Sequence, residues 1–251
     1  MGQITSLFLR KLVTVVDESV DTAGILRAAG IALDDPIDPK FMLAADDYYA
    51  LFEQLAKADP NGITLPLRVG NSMRCDDYGA LGLAWKSAKN LAGSVDRSYR
   101  YARVLTSVAT YELEKVKQGG LIHLYRGGER SLGMRLSNEA TIASLASMSR
   151  EVAAQPFQPL AIYFKHNAPA SIAFHELHFG CPVYFSSDKD AILVSGETLQ
   201  IPNKLGDDAI SRFFDTHLEA ELAKLEDDGG LDKRVKIQLS QALSEGVPSI
   251  N

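Results

Sequence analysis

Two textures alternate along the chain. Through its first hundred residues, apolar positions recur at three- and four-residue spacing, the mark of amphipathic helices. "LFLRKLVTVVDESV" is the first such run, and "DTAGILRAAGI" the second, with Asp21 or Thr22 to cap it and Gly30 to stop it. "AADDYYALFEQLAKAD" sets Tyr48, Leu51, Phe52 and Leu55 on one face and ends at Pro60-Asn61-Gly62. "LPLRVGNSM" predicts a short helix. "GALGLAWKSAKNLAGSVDRSYRYARVL" predicts two helices broken near Gly93-Ser94, with Ser94 or Asp96 capping the second.

The period then shortens. "ATYELEKVKQG", "GLIHLYRGG" and "SLGMRLSN" alternate, with glycine punctuation, and predict a strand meander. "EATIASLASMSREVAA" returns to helix, "PLAIYFKHNAP" predicts a strand and "ASIAFHELHFG" a short helix. "PVYFSSDKDAILVSGETLQIP" predicts a hairpin with Asp188-Lys189-Asp190 at its tip. A helical front half, then antiparallel strands with interspersed helices, makes the fold class α+β.

After Pro202 the pattern changes once more. "DDAISRFFDTHLEAELAKLE" places Ile210, Phe213, Phe214, Leu218, Leu222 and Leu225 along one helical face. "DDGGLD" is an acidic break. "VKIQLSQALSEGVPSIN" predicts a further helix with Val235, Leu239 and Leu243 apolar, stopped at Gly246, and Pro248-Ser249 opens another. The expected organisation is a domain over residues 1–205, a linking helix over 206–230 and the beginning of something else over 231–251.

Composition narrows the class. At 251 residues the chain can bury a core without disulfides. Cys75 and Cys181 are too few for a disulfide framework or a four-cysteine zinc site, and suit a reducing compartment. "SLFLRKLVTVV" is split by Arg10 and Lys11, so neither a membrane span nor a secretory signal is expected, and the cytoplasm is the default location. "MGQITS" fits the short myristoylation pattern, a weak match. The net charge is −6, and the segment from Asp207 to Asp228 alone accounts for it. No basic stripe is present to neutralise phosphates, so tight nucleic-acid binding by these residues is not expected.

Catalytic motifs are scarce. His166, His175 and His178 fall close together, and "HELH" resembles a zinc-protease helix, but the working motif needs a second histidine where Phe179 stands. The three could still share a metal; the plain alternative is polar residues rimming a cavity. Ser195 in "LVSGE" is not a nucleophile elbow, Cys181 in "FGCPV" reads as a packing residue, and "VGNSMRCDDYGALG" lacks the lysine of a phosphate loop. The chain reads as a non-enzyme, with no metal and no cofactor. Aromatic residues interleaved with cations instead suggest a small-molecule pocket: Trp85, Arg100, Tyr101, Arg103, Phe164, His166, Phe174, His175 and Tyr184. The same residues equally describe a core with snorkelling arginines.

At this point a resemblance enters. "YGALGLAWKSAKNLAGSVDRSYRYARVL" and "FKHNAPASIAFHELHFGCPVYFSSDKDAILVSGETLQIP" resemble two blocks of the N-terminal effector-binding domain of AraC-type transcription regulators, over roughly Leu12 to Pro202. "RVKIQLSQALSEGVPSIN" is similar to the first helix and turn of the DNA-binding region of that family, ahead of both recognition helices. The resemblance implies a small-molecule effector, a homodimer held by the 206–230 helix, and DNA contact only through a region that would follow. It implies no named ligand. An apolar molecule with one carboxylate, met by Arg100, Arg103 or His166, is the expected effector class. The rivals are a ligand-free dimerisation scaffold and a histidine metal site. For Phe213, Phe214 and Leu218, the alternative to a dimer contact is packing on their own core.

Overall fold

In the computed structural model, which describes residues 2–32 and 41–227, a helix buried on nearly every side joins two hydrophobic cores. The front half runs β1 (Gln3–Thr5), α1 (Ser6–Val13), α2 (Thr22–Ala28), β2 (Met42–Ala44), α3 (Ala45–Ala58), α4 (Leu65–Ser72), α5 (Gly79–Ser87) and α6 (Leu91–Tyr101). The back half runs β3 (Ala109–Val116), β4 (Gly119–Arg126), α7 (Leu132–Val152), β5 (Ala161–Tyr163), α8 (Ala173–Phe179), β6 (Val183–Tyr184), β7 (Ala191–Ser195), α9 (Gly196–Gln200) and α10 (Asp208–Asp227). The α+β expectation holds.

The predicted cap and stop of α2 act as expected. Asp21 accepts the Gly24 N–H at 2.8 Å, and Gly30 ends the turn after α2 at φ 70°, where a side chain would be strained. Tyr48, Leu51, Phe52 and Leu55 are buried on α3. The break before α6 lies three residues earlier than predicted. Asn90, not Ser94 or Asp96, caps α6 by accepting the Gly93 N–H at 3.0 Å. Ser94 is buried and donates to the Trp85 carbonyl at 2.9 Å. The short β1–β2 pair carried too little alternation to be read from sequence.

Two sequence expectations in the back half are corrected. "SLGMRLSN" opens α7 instead of closing a meander: Ser131 caps it, accepting the Met134 N–H at 3.1 Å. The meander is therefore the single β3–β4 hairpin. The segment from Pro182 to Ser195 is not a hairpin either. The five-stranded sheet has the order β3-β4-β7-β5-β6, with β7 antiparallel to both β4 and β5, and β6 parallel to β5. The reason is Asp190, which is not at an exposed tip. It is buried, accepting the Lys165 N–H at 2.9 Å and an Asn138 amide N–H at 3.2 Å, so the chain is pinned between sheet and α7. "GETLQ" is helical, as α9.

Small side chains let α7 sit at the centre. Its "EATIASLASMS" run is almost wholly buried, and Ser144 and Ser149 donate their hydroxyls to carbonyls one turn back, at 2.7 and 2.8 Å. On α4, Gly70 permits close approach: a Cβ there would stand 2.2 Å from Ala143 Cβ and 2.8 Å from the Ala143 carbonyl carbon. Ile142, Ala143, Leu145, Ala146, Met148 and Val152 of α7 pack into the sheet-side core, and Met134, Leu136 and Ala140 into the front core. Gly70→Ala is therefore expected to destabilise the fold by about 1–3 kcal/mol, against the better helix propensity of alanine. Urea unfolding measures this. Adding Ala143→Gly should recover only part of the loss, because backbone atoms remain in the way.

Candidate functional site

Two small cavities lie along the seam between the halves. The first, about 30 Å³, is walled by Trp85 of α5, Ser98 of α6, Tyr111 of β3 and Leu145 and Met148 of α7. The second, about 40 Å³, reaches from Tyr48 of α3 to Arg126 at the end of β4. Phe8, Tyr78, Thr106 and Tyr111 line both, and the Phe8 and Tyr78 rings stand 5.3 Å apart. The walls are mostly apolar, with a few hydroxyls, the character of a small-molecule site. Burial raises the Tyr48, Tyr78 and Tyr111 hydroxyls, so all three stay protonated and available as donors.

Beside the cavities, α5 and α6 are fixed to each other by buried hydrogen bonds. Trp85 Nε1 donates to Ser98 Oγ at 2.8 Å, and Asn203 Nδ2 donates to the Trp85 carbonyl at 2.9 Å. The outer side of α6 holds α10. Arg97 donates to Asp215 Oδ2 at 2.7 Å and to Ser211 Oγ, and Arg100 donates to Glu219 Oε1 at 2.8 Å and to Tyr101 Oη. Burial, with Asp215 and Glu219 nearby, pushes the Tyr101 hydroxyl up to about 12. Beneath this charged layer Leu218 is fully buried in the core, with Phe214 and Leu222 packed against it. The predicted stripe on α10 thus splits into two faces. Phe214, Leu218 and Leu222 face inward, whereas Ile210, Phe213 and Leu225 are exposed, Phe213 by 68 %.

A second polar centre lies inside α7. Glu139 is 2 % exposed, with His175 Nε2 at 2.8 Å from Oε2 and His166 Nε2 at 3.1 Å from Oε1. Arg135 Nε approaches Oε1 at 3.5 Å. His166 Nδ1 lies 2.9 Å from the Asn167 carbonyl oxygen. Burial would raise the Glu139 carboxyl, but the two imidazoles outweigh it and hold it at about 2. Phe164 stacks on His166 with centroids 5.2 Å apart, and Phe185 meets His175 edge-on. His178 is apart from this cluster, its ring edge-on to Phe179, and burial together with Arg150 brings it down to about 4. Among the described residues no group of three His, Cys, Asp or Glu side chains is placed to hold a metal.

The family model for the N-terminal arabinose-binding domain of AraC transcription regulators matches residues 20–203. The chain belongs to this family. The match agrees with the span over which the sequence blocks carried the resemblance. A crystal structure of the transcriptional regulator CdpR from Pseudomonas aeruginosa is similar at 17 % identity and a TM-score of 0.58, covering 97 % of this chain and 72 % of that one. At that identity the likeness concerns the fold. No curated protein matches the chain. Among the described residues no helix is long and apolar enough to cross a membrane.

In this AraC-family domain the nine residues expected at a pocket fall in separate places. Trp85 lines the seam. Phe164, His166 and His175 gather around Glu139. Arg100 and Tyr101 are engaged with α10, and Arg103 is exposed after α6 and lines neither cavity. Phe174 and Tyr184 are surface residues, Tyr184 stacked on Tyr163. Phe8, Tyr78, Tyr111, Leu145, Met148 and Arg126 went unread as pocket residues because they come from five separated segments. Glu139 had a signal: it is the lone acid in the small and apolar run that "EATIASLASMS" opens.

Two acid-sensitive groups follow from this geometry. The folded state holds protons on Glu139 and His178 less tightly than the unfolded chain, so both contributions to stability shrink as the pH falls. For His178 the loss spans about pH 6.5 to about 4; for Glu139 it spans about 4.5 to about 2. Urea unfolding across pH should show both limbs. His178→Phe is expected to flatten the upper one. Glu139→Gln is expected to flatten the lower one and to destabilise the protein at neutral pH by about 3 kcal/mol.

Proposed function

We propose that residues 1–205 are the small-molecule sensor of a cytoplasmic transcription regulator, residues 206–230 its linking and dimerisation helix, and residues 231–251 the start of a helix-turn-helix region. That last segment lies outside the described residues. The observation that carries the reading is that α6 serves two neighbours. Its Ser98 lines the seam cavity, while Arg97 and Arg100, on the same helix, hold α10. A ligand that binds better to one placement of α5 and α6 would shift the population of α10 positions, and with them the presentation of a following DNA-binding region. The shift is bounded by the ligand's difference in affinity for the two states. Family membership supports this reading, and no step in it needs catalysis.

Trp85 is the one tryptophan of the chain and lines the cavity, so its emission is a direct probe of occupancy. Titration of the purified chain with a metabolite library should give a saturable change in Trp85 fluorescence, and native mass spectrometry should find a small molecule that leaves on denaturation. An unresponsive Trp85 together with a bare protein mass would replace the sensor with a ligand-free scaffold. The dimer is tested separately. Ile210→Asp with Phe213→Asp should convert a sedimenting dimer to monomer with little change in Tm, since both side chains are exposed. Leu218→Asp should instead unfold the protein. A wild-type monomer would rule out the dimer contact in this region.

A further inference from the structure

The outer face of the sheet carries a larger opening, away from the seam. Along β3 and β4, Leu113, Ile122 and Leu124 pack inward, so Glu114, His123 and Tyr125 stand on the outer face. Lys165, just past β5, and the Asp188-Lys189-Asp190 run that leads into β7 face them, and together they line a groove of about 280 Å³. It shares no lining residue with either seam cavity. Benzene is at home in ~150 Å³ on this measure, so the groove has room for a larger molecule.

Both walls are held from behind. Asp190 is buried and accepts the Lys165 N–H at 2.9 Å and an Asn138 amide N–H at 3.2 Å, which fixes the backbone from which the Lys165 side chain starts. Opposite, His123 is 8 % exposed, with Nε2 at 2.7 Å from Glu114 Oε2. Its ring stacks on Tyr125, centroids 5.5 Å apart and planes within 10°, and the Tyr125 ring stays exposed.

The charges are divided between the two walls. On the far wall Asp188 meets Lys189 at 3.2 Å, and each Asp190 oxygen already takes an N–H. Lys165 is the cation left over: it is half-buried, and among the described residues no acid or acceptor meets its ammonium. On the near wall Glu114 gives Oε2 to His123, and among the described residues Oε1 takes no hydrogen bond. A simple anion on Lys165 would lie across from Glu114, and a simple cation on Glu114 would lie across from Lys165; either leaves like charges facing each other, which costs affinity. A molecule bearing both charges meets both walls with charge-assisted hydrogen bonds.

We propose that this groove binds a free amino acid as its zwitterion, with the carboxylate on Lys165, the ammonium on Glu114 and the rest of the molecule against the Tyr125 ring. The inference does not depend on the sensing function proposed above. Trp85 lines the seam and not the groove, so the two readings stand or fall separately.

The test is calorimetric titration of the full chain with the common α-amino acids and with β-alanine, γ-aminobutyrate and 5-aminovalerate, each at millimolar concentration. At least one should bind. Its N-acetyl derivative and its carboxamide should each bind at least about tenfold more weakly, the lower end for a hydrogen bond to a charged group. In Lys165→Gln the parent should weaken by the same order and bind no better than its carboxamide. In Glu114→Gln it should weaken likewise and bind no better than its N-acetyl form. Both side chains are partly exposed, so both variants should keep the wild-type Tm. Should one fail to fold, the derivatives on the wild type and the other variant decide. Weakening by only one derivative makes the groove a simple anion or cation site and overturns the zwitterion. No binding by any amino acid, or binding that neither variant alters, overturns the site itself.

Discussion

A helix buried on nearly every side needs partners for any charge it carries inward, and α7 carries an ionised carboxylate there. Glu139 sits where water cannot reach, and its carboxylate is held by His175 and His166 from the β5–α8 segment. Taking a carboxylate out of water costs several kcal/mol, recovered only when its partners stay in place. The pair therefore fixes more than itself. It sets where the loop after β5 crosses α7, and so where α8 and the aromatic rings of Phe164, Phe179 and Phe185 pack. Asn138, the preceding residue, reaches Asp190 and anchors the entry to β7. One turn of one helix thus places both ends of the irregular stretch between β5 and β7.

The close approach of α4 to α7 has the same logic. Gly70 and Ala143 bring two backbones together because nothing larger would fit. That contact draws the front helices onto a helix whose other side belongs to the sheet, and the cavities lie along this join. Phe8 packs against both cores and forms part of the wall of both cavities.

Much of the architecture was legible from local pattern. The front helices obeyed their spacing, and Asp21, Gly30 and Pro60-Asn61-Gly62 bounded them as local chemistry requires. What failed was non-local. "SLGMRLSN" alternates like a strand, but a serine cap and burial against α3 make it helix. Asp188-Lys189-Asp190 has turn composition, yet Asp190 is drawn inward by Lys165, just past β5, and by Asn138 of α7, which no window around it contains. The pocket was legible only at Trp85. Histidines and arginines close in sequence suggested a site, but His166 and His175 meet Glu139 and Arg100 meets α10, whereas Arg126, on the cavity wall, carried no local mark.

The distribution of charge separates the two roles that cations play here. Arg97 and Arg100 meet acids of α10, and this accounts for part of the acidity that made the segment from Asp207 onward so distinct in the sequence. An acidic helix laid on a basic face is held by contacts that weaken with salt and water access, because Arg100 and Glu219 are partly exposed. Leu218 beneath them is not so easily moved. Leu218, with Phe214 and Leu222 beside it, and the buried Arg97–Asp215 pair seat α10, whereas the more exposed Arg100–Glu219 pair is the contact that exchanges most readily. α6 meets the cavity through Ser98 and the rim through Arg97 and Arg100, and α5 meets the cavity through Leu81, Gly82 and Trp85, so a ligand that moves either helix acts on the seat of α10.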